Sequence, residues 1–157
     1  MENDETKNSW FDGNSQSVNF CEIINDIKEN PNFELFVGCD SHKISEKYIF
    51  AIVIALYKPG WGGRFYFYRK KSKDVRLSTI KVRLIEETEL ALDTARNLRQ
   101  CLPNKKIVVH LDINTDQRFK SSAVLPYATS YVISSGFQIA VKPKAWASSS
   151  LADAFAR

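Results

Sequence analysis

Four carboxylates stand at places in the chain where a solvated acid is not expected. Asp40 closes the apolar run that begins at Phe33, and Asp112 lies inside the apolar stretch Ile107 to Ile113 (IVVHLDI). Asp153 sits among Leu151, Ala152, Ala154 and Phe155, while Glu86, Glu87 and Glu89 ride a long helical pattern. In that pattern Leu77, Leu84, Ile85, Thr88, Ala91, Leu92, Ala95 and Leu98 form one stripe. At about 100° per residue, Glu87 borders the stripe, Glu86 falls nearly opposite it and Glu89 lies well off it. Glu87 is therefore the acid of this group that can point along a packed surface.

Unpaired buried carboxylates are strongly unfavourable, so acids that converge must either bind protons or hold a hard cation. Mg²⁺ and Mn²⁺ prefer oxygen ligands and keep waters, which suits a few carboxylates and a substrate phosphate. Two such ions about 4 Å apart stabilise both the attacking and the leaving oxygen of phosphodiester cleavage. Each acid also has an ordinary structural reading. Asp40 with Ser41 fits an Asx turn, Asp112 fits a pair with Lys105 or Arg118, and Glu87 fits a bond to Arg83. Asp153 has Arg157 one helical turn on.

Other polar residues are secondary candidates. By period-two alternation His110 shares a face with Asp112, where it suits either an accessory role or a hydrogen-bonded core position. His42 follows Asp40 by two residues and fits a proton shuttle or a surface site. Lys142 and Lys144 flank Pro143 after the last strand and fit contacts to phosphates or a solvated turn. Ser41, Ser148, Ser149 and Ser150 have no base and orienting acid at a recognisable spacing, which argues against a serine nucleophile. No glycine-rich phosphate-binding loop is present.

The elements that must position these residues follow from periodicity. Residues 1–14 are polar and read as loose, with Trp10 and Phe11 able to dock on the body. Ser15 or Ser17 can cap a helix running to about Glu29, with Phe20, Ile23, Ile24 and Ile27 at helical spacing. Phe33 to Cys39 reads as a buried strand, and Ser41 to Lys47 as a polar turn. Tyr48 to Tyr57 (YIFAIVIALY) has the apolar, β-branched character of a central strand covered on both faces. Arg64 to Arg69 returns as a third strand, completing an antiparallel meander. A helix over Ser78 to Gln100 leads to a strand over Lys106 to Ile113, parallel to the first. Residues 120–135 read as helical, Phe137 to Val141 as a last strand, and Ala147 to Arg157 as a short final helix. The expected architecture is α/β: a mixed five-stranded sheet, an antiparallel meander of three strands and then parallel strands, with helices on both faces.

The chain has 157 residues, 44% hydrophobic and 25% charged, which suits one soluble domain spanning 1–157. Its three cysteines, Cys21, Cys39 and Cys101, are odd in number and widely spaced, which argues against a disulfide framework or a zinc site. No apolar run approaches the roughly 20 residues that cross a bilayer, and the acidic N-terminus does not read as a secretory signal. A cytoplasmic protein is expected. The net charge of +4 is unevenly spread. Bases crowd residues 64–83 (Arg64, Arg69, Lys70, Lys71, Lys73, Arg76, Lys81, Arg83) with only Asp74 in opposition, which suits a polyanion or a solvated strand end.

An early Asp, a helical Glu, a later strand Asp and a final helical Asp, in that order, resemble the ribonuclease H-like superfamily. The strings VGCDSH (37–42), RLIEET (83–88), VHLDIN (109–114) and GFQIAVKPKAWASSSLAD (136–153) resemble the YkuK-like family within it. The resemblance runs from about residue 16 to the end. It implies that Asp40, Glu87, Asp112 and Asp153 are metal-binding and catalytic acids, that Mg²⁺ or Mn²⁺ is the cofactor, and that nucleic acid is the substrate. Asp40 would bridge two ions, with Glu87 and Asp112 completing one site and Asp153 the other. Arg69, Lys70, Lys71, Lys73, Lys142 and Lys144 would contact the nucleic acid. A non-catalytic adaptor with the same fold is the alternative, and a small-molecule phosphohydrolase a third. A homodimer is possible through Trp10, Phe11 or Trp61.

Overall fold

The computed structural model describes residues 9–157, so the expectation for residues 1–8 lies outside the described residues. Its strands are β1 (Trp10–Asp12), β2 (Ser17–Val18), β3 (Glu34–Ile44), β4 (Lys47–Lys58), β5 (Gly62–Ser72), β6 (Ile107–Leu111) and β7 (Gln138–Val141). The α-helices are α1 (Phe20–Glu29), α2 (Ile80–Cys101), α3 (Leu125–Ser134) and α4 (Asp153–Ala156), with a π-helical turn over Ala147–Ala152. One mixed sheet runs in the order β2-β1-β5-β4-β3-β6-β7. The β3–β4–β5–β1–β2 side is antiparallel, and β6 and β7 join β3 in parallel.

The expected five-stranded sheet is therefore a seven-stranded one. The additional strands come from residues 10–18, where the sequence reads as loose up to residue 14 and as the start of a helix from Ser15 or Ser17. Phe11 pairs with Phe67, which puts β1 on the edge of β5. Trp10 turns into the core against Tyr68 and Phe20, with ring centroids 4.6 and 6.3 Å away. This burial removes Trp10 from any interface, whereas Trp61 stays 76% exposed beneath the Lys58 ammonium.

The sequence places the cap of α1 at Ser15 or Ser17, but Ser17 belongs to β2 and the cap is Asn19. The Asn19 side chain accepts from the Glu22 N–H, and the Glu22 carboxylate accepts from the Asn19 N–H, both at 2.8 Å. That is a capping box, legible as Asn-x-x-Glu. A second correction affects the site directly. Residues 41–47 are not a polar turn. β3 continues through Asp40 to Ile44, and only Ser45 and Glu46 connect it to Lys47, with Ser45 in the left-handed region at φ 55°.

Strand alternation divides the molecule into two cores. Leu35, Val37 and Cys39 of β3, with Phe50, Ile52 and Ile54 of β4, face α1, α2 and α3. Phe36, Val53, Ala55 and Phe67 point the other way, beneath Ala147, Trp146, Ala152 and Phe155. Helices cover both faces as expected, but among the described residues only the C-terminal segment covers the second. No helix among the described residues is long and apolar enough to cross a membrane.

Candidate metal centre

Asp40 and His42 are two residues apart on β3, so they project from the same face as Phe36. The parallel register pairs Gly38 with His110 and ends at Cys39 with Leu111. Asp112, the next residue, continues that register onto the face of Asp40. Asp153 reaches the same face from α4. Three contacts hold its segment down. His110 Nδ1 accepts from the Ala147 N–H at 3.0 Å, Phe155 stacks on Phe67 with centroids 4.1 Å apart, and Arg69 Nε donates to the Phe155 carbonyl at 2.6 Å.

These elements bring Asp40, His42 and Asp153 together, each offering a ligand atom within 4.8 Å of the others. His42 Nε2 lies 2.7 Å from Asp153 Oδ1 and 3.7 Å from Asp40 Oδ2. Asp40 is buried, whereas His42 and Asp153 keep about a third and a quarter of their side chains exposed, so the cluster opens to solvent on one side. Burial, a hydrogen bond with Asp153 and the charges of Asp112 and Asp153 push the Asp40 carboxyl up to about 8. For Asp153 burial acts in the same sense, but hydrogen bonds to His42 and Asp40 and the nearby Arg157 outweigh it and hold the carboxyl below its usual range. The two carboxyls titrate as a coupled pair in which Asp40 is the one biased toward its protonated form.

Glu87 approaches from the opposite side of the sheet. It is buried, as the helical stripe predicts, and its partner is Ser41, whose hydroxyl donates to Glu87 Oε1 at 2.5 Å. Burial first, then the charge of Asp40, raises the Glu87 carboxyl well above its ordinary value. Arg83 lies instead over the Tyr48 ring, and Glu86 sits 3.5 Å from Lys70. In the sequence Ser41 reads as part of an Asx turn with Asp40 or as a serine without a catalytic base, not as the partner of Glu87. Its odd position on β3, which turns it toward α2, was the available signal for its actual contact.

Asp112 pairs with neither Lys105 nor Arg118. Lys105 donates to the carbonyls of Pro31 and Phe33, and Arg118 pairs with Asp116. The cation beside Asp112 is Lys142, 2.8 Å from Oδ1 but outside hydrogen-bond alignment, so this buried oxygen has no directed donor. Asp153 has its i+4 partner, Arg157, at 3.2 Å.

An oxygen-rich group with one imidazole, a coupled pair of crowded carboxyls and one orphaned carboxylate oxygen fits a hard divalent cation. Asp40, Asp153 and His42 supply the compact part of that donor set, and Asp112 flanks it. His110 lies apart from the cluster. Its Nδ1 is occupied by the Ala147 amide, so the neutral ring carries its proton on Nε2, and burial lowers its pKa to about 4. It anchors the C-terminal segment.

The basic candidates separate by the same alternation. Arg69 and Lys71 share the face of Asp40, since Ala51 pairs with both Asp40 and Arg69 and Ile49 with both His42 and Lys71. Lys70 points to the other face, toward Glu86. Lys73 lies beyond the end of β5, Lys144 is exposed, and Lys142 is engaged with Asp112.

No curated protein and no solved structure gives a match to this chain. A family model described as Ribonuclease H-like matches residues 19–157, which include β3, α2, β6 and α4 and so every acid discussed above. With that match across most of its length and a mixed sheet of the arrangement described, the chain belongs to the ribonuclease H-like family.

Proposed function

We propose that this chain hydrolyses phosphodiester bonds of nucleic acid with divalent cations, Mg²⁺ or Mn²⁺, held on the sheet face that carries Asp40. The observation behind this reading is the Asp40–His42–Asp153 cluster, in which crowded carboxyls meet within 4.8 Å at the solvent edge of the sheet face. Asp40 and Asp153 would hold the ions with Asp112 beside them, and Glu87, held by Ser41 on the α2 side of the strand, would add its charge from behind Asp40. When bound, such ions supply Lewis-acid stabilisation of charge on the attacking and leaving oxygens. Without metal His42 Nε2 orients Asp153, and with metal the same nitrogen would serve as a donor in place of that contact. Ser41 fixes the Glu87 side chain. Arg69 and Lys71 give the acidic face a basic flank for the backbone.

Calorimetric titration with Mn²⁺, together with cleavage of labelled RNA, DNA and hybrid duplexes, tests the proposal. Replacing Asp40 by Asn should lower cleavage by at least about 100-fold, the scale of losing one preorganised electrostatic group, while leaving the fold intact. Equal cleavage by parent and variant would refute the assignment.

The rival reading is a non-catalytic adaptor of the same fold. In its favour, Lys142 stands beside Asp112 and Arg157 beside Asp153, so these acids have cations of their own. An adaptor gives no Mn²⁺ binding heat that Asp112→Asn removes.

A further inference from the structure

A cleft of about 270 Å³ lies at the opposite end of the sheet from the acidic cluster. The last turn of α2, the loop into β6 and the turn from α3 into β7 bound it. Arg99, Asn104, Lys105, Lys106, Gly136 and Gln138 are among the residues that line it. Ile107 opens β6 here, whereas Asp112 follows the other end of that strand. Five residues of extended chain, about 16 Å, therefore separate this cleft from the metal centre.

Three cations line this wall and no acid does. Arg99 is held by its face, with the guanidinium carbon 4.8 Å from the Phe137 ring centroid. Its Nε is buried without a hydrogen-bond partner, and Arg99 forms no ion pair among the described residues. A buried donor left unsatisfied costs free energy unless a group from outside the chain accepts from it. Lys105 is fixed as well: its ammonium donates to the carbonyls of Pro31 and Phe33 at 2.9 and 2.7 Å and keeps a third N–H. Burial pulls its pKa below the ordinary value, the mark of a desolvated charge that a nearby anion supports. Lys106 is exposed and has no ion-pair partner among the described residues.

The negative end of the α2 dipole offsets only about half a charge of these three. The remainder matches a dianion and exceeds what a carboxylate or a phosphodiester, each singly charged, can neutralise. A guanidinium fork meets phosphate oxygens two at a time, and the amides of Asn104 and Gln138 add donors. Two of the three cations are already immobilised, so an arriving anion has little left to order. The volume falls just below that of drug-sized pockets and suits one phosphate group with a short substituent. We propose that this cleft binds a phosphate dianion, either free orthophosphate or the terminal monoester of a small molecule. The site needs no metal and is independent of what the Asp40 cluster does. A bound dianion ties the end of α2 to the starts of β6 and β7 and so stabilises the folded chain by mass action.

The test is amide NMR of the isotope-labelled full chain in chelator at constant ionic strength. At about pH 8, above the second phosphate pKa of about 6, the chain is titrated with orthophosphate, phenyl phosphate and the singly charged dimethyl phosphate. Orthophosphate or phenyl phosphate should saturate with a Kd below about 1 mM. The amides of Lys106, Ile107 and Gly136 should shift, and those of Asp40 and Ser41 should not. Tighter binding of phenyl phosphate identifies a monoester as the ligand, and equal or weaker binding identifies free phosphate. Arg99→Gln keeps a side chain over Phe137 and should weaken binding by about 10-fold, the scale of one charge-assisted hydrogen bond. Lys106→Gln changes an exposed side chain, leaves the fold alone and should weaken binding by about 3-fold. Failure to saturate, shifts confined to the Asp40 end of the sheet, or equal affinity in the parent and both variants overturns the site. Dimethyl phosphate that binds as tightly as the dianions overturns it as well, because the charge match is then absent.

Discussion

His42 Nε2 lies 2.7 Å from Asp153 Oδ1, a contact between β3 and α4 made by residues 111 positions apart. It joins the sheet to the C-terminal segment that covers one of its faces. The same contact completes the cluster with Asp40. Docking of α4 and assembly of the site are therefore one event, and perturbing either should register in the other.

Lys142 gives the sharpest test of whether Asp112 belongs to the centre. Its ammonium occupies charge space beside Asp112 Oδ1, so a cation that uses this oxygen must displace it. Lys142→Ala should tighten Mn²⁺ binding by about 10-fold, the scale of outer-shell effects on metal affinity, and Asp112→Asn should cancel that gain. Weaker binding in Lys142→Ala, measured by calorimetry, would show that the lysine supports the site instead of competing for it.

The Asp40 carboxyl rises from 3.8 to about 8 in the folded protein without metal. A raised folded pKa means that the native state holds the extra proton. The resulting stability is complete below about pH 4 and is lost as pH climbs toward 8. Because Asp40 and Asp153 titrate together, the effect belongs to the pair. Denaturation in chelator should show the parent losing stability relative to Asp40→Asn between about pH 5 and 8, by at most about 1.4 kcal/mol per pH unit. Added Mn²⁺ should shrink that difference. A parent and variant with parallel pH profiles would contradict the raised Asp40 carboxyl.

His110 responds in the opposite direction. Its pKa is depressed from 6.5 to about 4 by burial, so the stability it contributes is present above about pH 6.5 and is lost as pH falls toward 4. Protonation also removes the Nδ1 lone pair that accepts the Ala147 amide. At neutral pH, His110→Ala should cost about 1–3 kcal/mol by leaving that amide unpaired, read by denaturant melts. The loss should shrink below pH 5, and Mn²⁺ binding should weaken because the segment carrying Asp153 loosens. A variant that melts like the parent would remove His110 from the anchoring role.

The N-terminal strand predicts a stability effect remote from the site. Trp10 is 5% exposed and packs edge-on against Tyr68. Trp10→Ala should destabilise by about 3–5 kcal/mol, as for other buried aromatic truncations, with an unchanged Mn²⁺ affinity in the fraction that remains folded. A loss under 1 kcal/mol, as in an exposed tail, would separate β1 from the sheet.

The sequence by itself settled what depends on neighbours along the chain. Period-two alternation put His110 and Asp112 on one strand face, and helical period chose Glu87 over Glu86 and Glu89 as the buried acid. The apolar runs located the meander, the crossover helix and the parallel strand. Composition misjudged residues 10–14, and the expected helix start misjudged 15–18, because an edge strand needs little apolar pattern of its own when β5 already offers free backbone groups. Spacing also failed to show that β3 continues through Asp40, since that depends on pairing with β4. Only the tertiary structure decided that Lys142 stands against Asp112, that Ser41 holds Glu87, and that Arg99 and Lys106 share one cleft with Gln138. Those relations are distances across the folded chain, fixed by strand register and by how the C-terminal segment docks. Local periodicity encodes the direction a side chain takes, but the identity of its partner is set by chain closure.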